Sequence, residues 1–262
     1  MNNILFASVS LFILIAGPVW ADQQQFPAKL AGQAILPANT MIAVPADAPE
    51  FLKHSGKFTT ADRKRTEALG TLPGKDGARV TDLKLPFDGQ PIQGFSGIKT
   101  MADGTFWTLS DNGFGSKANS SDSMLFLHQM KFDWAANKAE VVKNLFLSDP
   151  NKIAPFPIVL EGTDTRYLTG ADFDIESIQP VADGFWLGDE FGPYILKFDT
   201  AGRLTDVIPT TLDGKPGAVA RQSADPAAGQ SGREDAGLQS EALRRLRRPR
   251  HVEGWLQALR SA

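Results

Sequence analysis

The chain has no cysteine among its 262 residues, and this absence removes several chemistries at once. Without cysteine there is no disulfide, no thiol nucleophile and no zinc–thiolate site. Histidine is also scarce, because only His54, His128 and His251 are present and none lies near another along the chain. The composition therefore argues against histidine catalysis, and stability has to come from packing and from any metal ion that binds.

A large excess of positive charge is also lacking. The formal net charge is -3 and 42% of the residues are hydrophobic, which is typical of an ordinary soluble globular protein with one domain. No basic patch interleaved with aromatic residues is visible, so the sequence argues against a nucleic acid partner. We expect a monomer that acts on a small molecule.

Long apolar runs are confined to the N-terminus. Residues 4–16 are mostly apolar and are followed by Gly17, Pro18 and then Val19-Trp20-Ala21, with small residues at the two positions that a signal peptidase recognises. The run is too short to span a bilayer comfortably, although its start carries no lysine or arginine. We therefore predict a signal peptide over residues 1–21, no stable membrane anchor, and a periplasmic or secreted protein.

Two stretches about 80 residues apart repeat one pattern. Each copy has a three-residue strand start (96–98 and 176–178), an Ala-Asp-Gly turn (102–104 and 182–184), a Phe-Trp pair (106–107 and 185–186) and an acidic strand end (111–113 and 189–190). A strand-like run ending in Lys-Phe-Asp follows in both, at 125–133 and 194–199, and then another strand, at 141–147 and 204–211. Each copy thus predicts about four short strands.

Four strands per repeat are the make-up of a propeller blade. We predict an all-β, β-propeller-like fold that is incomplete, with an irregular or helical C-terminal tail. An antiparallel sandwich has similar strand spacing but does not require the repeated signature. Trp107 and Trp186 occupy matching positions, which favours packing between blades over ligand stacking. Upstream, residues 22–45 indicate irregular edge structure or short strands, and residues 46–79 a surface loop or short helix.

The segment 170–193 is rich in carboxylates. If it is extended, Asp172, Asp174 and Glu176 alternate and lie on one face, which suits a calcium ion. Asp189 and Glu190 follow at the next strand end. The alternative interpretation is solvated charge at strand ends, but the first repeat has no acid at the positions equivalent to the alternating three, so the framework does not require them. Asp111, by contrast, matches Asp189 and is a candidate turn residue in both copies.

Four blocks carry a resemblance to the phytase-like domain of exported bacterial proteins named for an esterase-like activity of phytase. They are Gly94–Ile98, Ser110–Gly115, Leu168–Glu176 and Gly188–Tyr194, and the similarity extends over about residues 26–214. The resemblance implies a β-propeller-like exported hydrolase of phosphoesters or other esters, with calcium as cofactor. It indicates fold and compartment better than substrate.

These residues suggest specific roles in ester hydrolysis assisted by a metal. The candidate metal ligands are Asp172, Asp174, Glu176 and Asp189. The neighbouring blade would add Asp111 and Asn112 to the metal site. The candidate catalytic residues are Glu190, as the base, and Asp189. Arg166 and Lys117 are candidate cations for the substrate, although an arginine near acids is more often in an ion pair. Two other functions remain open: a non-catalytic calcium-binding module, and a lactonase of the gluconolactonase type.

The composition changes after residue 213, where the predicted propeller domain (22–213) ends. Residues 214–262 contain eight arginines and one lysine, with few β-branched or aromatic residues, so the segment is unsuited to propeller strands. One interpretation is a frameshift that replaced the closing blades, which predicts an open fragment with little or no activity. The alternative is a short amphipathic helix that Pro249 interrupts.

Overall fold

The computed structural model describes residues 27–60, 64–76, 78–192, 194–212 and 215–216. The chain divides into two compact units, residues 1–31 and 32–262, and the described part of the first has no regular secondary structure. The described part of the second contains sixteen strands and one 3-10 helix, which confirms the all-β prediction. The predicted signal peptide and residues 217–262 of the tail lie outside the described residues, where no structure tests those two predictions.

The upstream part, before residue 92, forms three small antiparallel pairs. These join β1 to β6, β2 to β5 and β3 to β4, where the strands are β1 (Met41–Ile42), β2 (His54–Ser55), β3 (Leu72–Asp76), β4 (Arg79–Leu85), β5 (Phe87–Asp88) and β6 (Gln90–Pro91). A 3-10 helix spans Glu50–Leu52. The short strand predicted before residue 45 is confirmed. The surface loop or helix predicted over 46–79 is wrong in part, because β2 pairs with the distant β5 and β3 pairs with β4, the strand that follows it directly along the chain.

The first repeat forms a four-stranded antiparallel sheet, which we call sheet one. Its spatial order is β10-β9-β8-β7, with β7 (Phe95–Thr100), β8 (Phe106–Ser110), β9 (Phe126–Asp133) and β10 (Lys138–Phe146). Consecutive strands are neighbours, so the chain runs through the sheet as a simple meander. The four strands overlap those that the sequence predicts for this repeat, although β10 begins three residues earlier than predicted and ends one residue earlier.

The second repeat forms an equivalent sheet, sheet two. Its order is β11-β12-β13-β14, with β11 (Ile175–Val181), β12 (Gly184–Asp189), β13 (Tyr194–Asp199) and β14 (Leu204–Pro209). The final described pair is β15 (Thr211–Leu212) with β16 (Lys215–Pro216). Sheet two thus repeats the meander of sheet one, which confirms the repeat unit inferred from the sequence.

The two sheets pack through one hydrophobic core. Sheet one contributes Trp107, Leu109 and Leu127, and sheet two contributes Phe185 and Leu187, all of them buried. The rings of Trp107 and Phe185 are 4.9 Å apart between centroids, edge to face. This confirms a packing role for Trp107 between the two repeats, because an aromatic pair of this geometry stabilises more than its buried area alone.

The upstream part is tied to the loop that follows β8 by buried polar contacts. The backbone N–H of Lys57 donates to Asp122 Oδ2 at 2.9 Å, and the buried Lys57 ammonium donates to the carbonyls of Phe51 and His54. Gln90 Nε2 donates to the Asp122 carbonyl at 2.9 Å. These contacts position the segment 111–125, which carries part of the site described below.

The described sheets do not close into a ring or barrel. Sheets one and two lie side by side, with β7 and β11 as neighbouring edge strands, and the remaining described strands belong to two-stranded pairs. In the described parts of the chain, no helix has the length and apolar character that crossing a bilayer requires.

Candidate metal centre

Three carboxylates meet where the start of β11 lies beside the end of β12. Asp174 immediately precedes β11, Glu176 is its second residue, and Glu190 directly follows β12. Because the strands are antiparallel and Ile175 pairs with Asp189, both ends reach the same place. One oxygen from each of the three acids lies within 4.8 Å of the others, and we call these residues the acidic group.

A β-bulge aims Glu176 into the acidic group. The ladder of β11 and β12 pairs Ile175 with Asp189 and Ser177 with Gly188, which leaves Glu176 without a partner. Bulges of this kind redirect one side chain away from the regular alternation. Asp174 and Glu176 therefore come together as predicted, although a turn and a bulge bring them together instead of a regular strand.

Asn112, from the turn after β8, fixes the Asp174 carboxylate. Its backbone N–H donates to Asp174 Oδ1 at 3.0 Å and its side-chain Nδ2 donates to Oδ2 at 2.6 Å. Its own Oδ1 accepts a hydrogen bond from the Gly115 N–H at 2.7 Å. Asn112 thus positions the Asp174 carboxylate through its two donors, and its role as a metal ligand stays a prediction.

Gly170 makes this close approach between the two sheets possible. A Cβ atom at residue 170 would collide with the carbonyl oxygen of Asn112. Because glycine has no side chain, the loop before β11 can press directly against the turn after β8. The site is therefore built at the junction of the two sheets.

Glu176 is held from sheet one by Ser96. The Ser96 hydroxyl hydrogen-bonds to the Glu176 carboxylate, which opposes the rise in the pKa of this acid. Burial is the main reason that the pKa of Glu176 is raised, and the negative charges of Asp174, Asp111 and Glu190 raise it further. The sequence analysis did not predict a role for Ser96, but the repeat contained the signal, since Ser96 is the counterpart of Glu176.

Asp111 and Asp189 share one local role in the two repeats. Asp111 Oδ1 accepts the Gly113 N–H at 2.8 Å, and Asp189 Oδ2 accepts the Gly192 N–H at 2.9 Å. Each carboxylate thus closes the turn that follows its strand. Burial raises the pKa of Asp111 and raises that of Asp189 to about 6, against the hydrogen bonds that stabilise both carboxylates. Neither the Asp111 nor the Asp189 carboxylate belongs to the acidic group.

Asp189 also reaches the backbone of the site. Its Oδ1 accepts the Asp174 N–H at 2.8 Å, while the Glu190 N–H donates to the Asp174 carbonyl at 2.8 Å. These two hydrogen bonds join the residues on either side of the acidic group. Asp189, predicted as a ligand and catalytic partner, is therefore placed beside the acidic group as its support.

The expectation that Asp172 shares the face of Asp174 and Glu176 is wrong. Residues 171–172 form a turn, and β11 begins only at Ile175. The buried Asp172 carboxylate accepts the Thr169 N–H at 2.8 Å, the Thr169 hydroxyl at 2.9 Å and the Val159 N–H at 2.8 Å. Local hydrogen bonds of an aspartate to nearby backbone compete with strand formation, and here they prevail.

Arg166 is not placed to bind a substrate. The side chain is only 3% exposed and donates to the Asp149 carbonyl at 2.7 Å and to Asp149 Oδ2 at 3.1 Å. A second ion pair joins it to Glu161 at 2.7 Å. The predicted substrate role is therefore wrong, and the ion-pair alternative is correct. Lys117, the other predicted cation, is exposed beside the turn of Asp189 and Glu190.

A serine, a histidine and an asparagine form a buried chain across sheet one. Ser110 Oγ lies 3.0 Å from His128 Nε2, and His128 Nδ1 lies 2.8 Å from Asn144 Oδ1. Because an amide oxygen only accepts, His128 donates through Nδ1 and accepts from Ser110. Burial lowers the pKa of His128 to about 4, and Ser110 is only 4% exposed. The chain resembles a nucleophile and base, but its burial gives it a structural role.

Comparisons with known proteins address the family. A family model described as "Phytase-like: Esterase-like activity of phytase" matches residues 90–252, more than half of the chain. The match starts later than the similarity expected from the sequence and continues beyond residue 214 into the segment of changed composition. Comparisons with curated proteins and with solved structures gave no significant match. With its two repeats and its acidic group inside the matched range, the chain belongs to the phytase-like family.

Proposed function

We propose that this protein is a hydrolase of phosphoesters or other esters that depends on a divalent cation, with calcium as the preferred ion. The observation that carries the proposal is the acidic group, in which oxygens of Asp174, Glu176 and Glu190 lie within 4.8 Å of one another. Membership of a family described by an esterase-like activity supports ester chemistry. We further propose that the protein is an exported monomer that acts on a small molecule, with no nucleic acid partner and no stable membrane anchor.

The residues of the acidic group fit calcium. Calcium prefers hard oxygen ligands and accepts flexible geometry, and Asp174 and Glu176 provide such oxygens, with the Glu190 carboxylate beside them. The negative charges of Asp174 and Glu190 contribute to the raised pKa of Glu176. A cation bound between these carboxylates would reduce their mutual repulsion. The Asn112 donors fix the plane of the Asp174 carboxylate and leave lone pairs on both oxygens.

The exposure of the three carboxylates suggests a different role for each. A divalent cation supplies Lewis-acid polarisation of an ester oxygen. Asp174 and Glu176, buried and half-buried, are oriented by Asn112 and Ser96 and are the proposed ligands. Glu190 is the exposed member, so it can accept a proton from an attacking water and release it to solvent. Asp189 closes the turn that carries Glu190.

We interpret sheets one and two as adjacent blades of a propeller-like fold that the described residues leave incomplete. Trp107 faces sheet two, and its repeat counterpart Trp186 lies between Phe185 and Leu187, which point into the shared core. Since side chains alternate along a strand, Trp186 lies on the opposite face of sheet two. In both repeats the tryptophan thus lies on the sheet face that points toward the next repeat along the chain. Blades arranged around a central axis have this geometry.

The experiment that tests the hydrolase is a substrate panel with and without chelator. The full-length chain is assayed on phytate, simple phosphomonoesters, carboxyl esters and lactones, and Glu190→Gln is assayed in parallel. We expect turnover of at least one ester, loss of turnover with chelator, and its return when calcium is restored. Turnover that is unaffected by chelator would contradict the proposal. No turnover on any substrate would favour the second candidate below.

A non-catalytic calcium-binding module is the second candidate, and one observation favours it. The hydrogen bonds from Asn112 to Asp174 and from Ser96 to Glu176 cross from sheet one to sheet two, so a cation at this junction would stabilise their packing. This candidate predicts a calcium-dependent rise in the melting temperature without hydrolysis. The two candidates share the ion and its ligands, and they differ only in turnover.

A further inference from the structure

Lys57 and Gln90, both from the upstream part, hold residues 122–124 from two sides. The Lys57 N–H donates to Asp122 Oδ2 at 2.9 Å, and the Lys57 ammonium lies 3.5 Å from the same oxygen. Gln90 donates to the Asp122 carbonyl at 2.9 Å and accepts the Met124 N–H at 2.9 Å. Because these side chains are buried, loss of a contact leaves a polar group unpaired instead of hydrated. The upstream part therefore determines where residues 122–124 lie.

The Asp122 carboxylate depends on Lys57 for compensation of its charge. Oδ2 accepts the Lys57 N–H, whereas no hydrogen bond of normal geometry reaches Oδ1 from the described residues. Burial raises the pKa of Asp122, and the N–H and the ammonium of Lys57 oppose this rise. A buried carboxylate that loses its cation is strongly destabilised. Removal of the Lys57 charge should therefore displace Asp122 together with its neighbours in the chain.

Ser123, the next residue, contacts both segments that meet at the junction of the two sheets. Its carbonyl accepts the Gly170 N–H at 2.8 Å. Its hydroxyl lies against Gly113, where an added Cβ atom would collide with Ser123 Oγ. Gly113 directly follows Asn112, whose carbonyl packs against Gly170. A shift of Ser123 therefore moves the turn of Asn112, whose two donors orient the Asp174 carboxylate.

We propose that Lys57 is a positioning residue of the acidic group and that it acts through Asp122 and the Asn112 turn. Calcium binding and the docking of the upstream part on residues 122–124 are then linked, so each strengthens the other. The inference rests on the proposed calcium site. It adds to that site a support from residues that precede both repeats and contribute no ligand.

Calcium titration of a set of variants tests this route. Lys57→Met removes the charge and keeps an apolar side chain, and we expect calcium affinity to fall about tenfold because Asp122 is left buried without its cation. The double variant Lys57→Met/Asp122→Asn has no such charge, so its affinity should return to within about threefold of that of Asp122→Asn alone. A general loss of structure would give no such recovery.

Lys53→Met is the control, since Lys53 is an exposed lysine of the same region that pairs with Glu50. Its calcium affinity should equal that of the wild type. An affinity of Lys57→Met equal to that of the control would overturn the proposal. An equally large loss in Lys57→Met and in the double variant would overturn it as well.

Hydrogen exchange of the wild type provides a second test that does not depend on the folding of Lys57→Met. Linkage requires that calcium slow exchange of the Lys57 amide, which donates to Asp122. The Arg203 amide, which donates to Asp199 in a turn of sheet two, is the reference and should be unaffected. An unchanged rate at Lys57, or equal slowing at both amides, would contradict the proposal.

A calcium-free arm separates this inference from the proposed function. If the wild type binds no calcium, the proposed function fails, and the route from Lys57 to Asn112 is tested by urea unfolding of Lys57→Met, Asn112→Ala and their double variant. Residues in one network give losses of unfolding free energy that do not add, whereas independent sites give additive losses. A double variant that loses less than the sum retains Lys57 as a support of the Asn112 turn. Additive losses overturn the inference.

Discussion

Ser96 and Glu176 occupy the same position of two repeated strands and hydrogen-bond to each other across the two sheets. Both are unpaired bulge residues, because the β7 ladder shifts between Phe95 and Gly97 as the β11 ladder shifts between Ile175 and Ser177. The same β-bulge thus occurs in both repeats, and its unpaired residue carries a hydroxyl in the first repeat and a carboxylate in the second. This explains how an acid can be added to the second copy without changing the framework.

Replacing Ser96 by alanine tests this contact. We expect calcium affinity to fall about threefold to tenfold, which corresponds to the loss of one hydrogen bond that orients a ligand. The matched control is Ser177→Ala, which removes an exposed hydroxyl next to Glu176 on β11. Calcium titration of both variants provides the measurement. Equal affinities in the two variants would show that the Ser96 hydroxyl does not support the ligand.

Asn112→Ala removes the stronger support. The change deletes the 2.6 Å hydrogen bond to Asp174 Oδ2 and keeps the backbone donor to Oδ1. We expect calcium affinity to fall about tenfold to a hundredfold, as is typical when a residue that orients a metal ligand is removed. Asn119→Ala is the control, because Asn119 lies in the same loop and its side chain donates to the Phe114 carbonyl at 3.4 Å instead of to a carboxylate of the acidic group. A similar loss in both variants would point to the loop instead of the carboxylate.

Local pattern was enough to predict the strands and part of the site. The repeated turns and the Phe-Trp pairs located the eight strands of the two sheets, since each depends on neighbouring residues. Asp174, Glu176 and Glu190 were expected near one another and are. Asp172 was misplaced because Thr169 and Val159 draw its carboxylate into a turn. The Thr169 contacts are local and the Val159 contact comes from 13 residues upstream, and an alternation pattern contains neither kind of hydrogen bond.

Arg166 illustrates the same limit. Its acidic neighbours Glu161 and Asp164 were visible in the sequence, but its burial and its partner Asp149, 17 residues away, were not. The assignment as a structural ion pair leads to a direct prediction. Arg166→Met should lower the free energy of unfolding by about 3–5 kcal/mol, because Asp149 is left buried without its cation.

Urea unfolding is the measurement for Arg166→Met, with Lys152→Met as the control. Lys152 is an exposed lysine of the same loop, so its replacement should change stability by less than about 0.5 kcal/mol. A small effect of Arg166→Met, equal to that of the control, would contradict the structural role of Arg166.

His128 makes the stability of the fold sensitive to acid. Burial lowers its pKa from 6.5 to about 4 in the folded protein. As the pH falls below 6.5, the unfolded chain takes up the proton first, so folding loses free energy until the pH reaches the folded pKa. Between pH 6.5 and about 4 we expect this histidine to account for a loss of about 3 kcal/mol.

Unfolding in urea across this pH range, for the wild type and His128→Gln, isolates the contribution. Glutamine keeps a donor and an acceptor for Asn144 and Ser110 but does not ionise in this range. The wild type should therefore lose stability more steeply than His128→Gln as the pH falls. Parallel pH profiles would mean that His128 is protonated at its normal pKa in the folded state.

Calcium binding by the acidic group is the central claim, and calorimetric titration tests it most directly. Asp174→Asn and Glu176→Gln each remove one charge of the group. Asp183→Asn, which removes an exposed carboxylate at the opposite end of the β11–β12 hairpin, is the control. We predict one calcium site in the wild type and in Asp183→Asn, and an affinity at least about tenfold lower in the other two variants. Unchanged calcium affinity in Asp174→Asn would contradict the account.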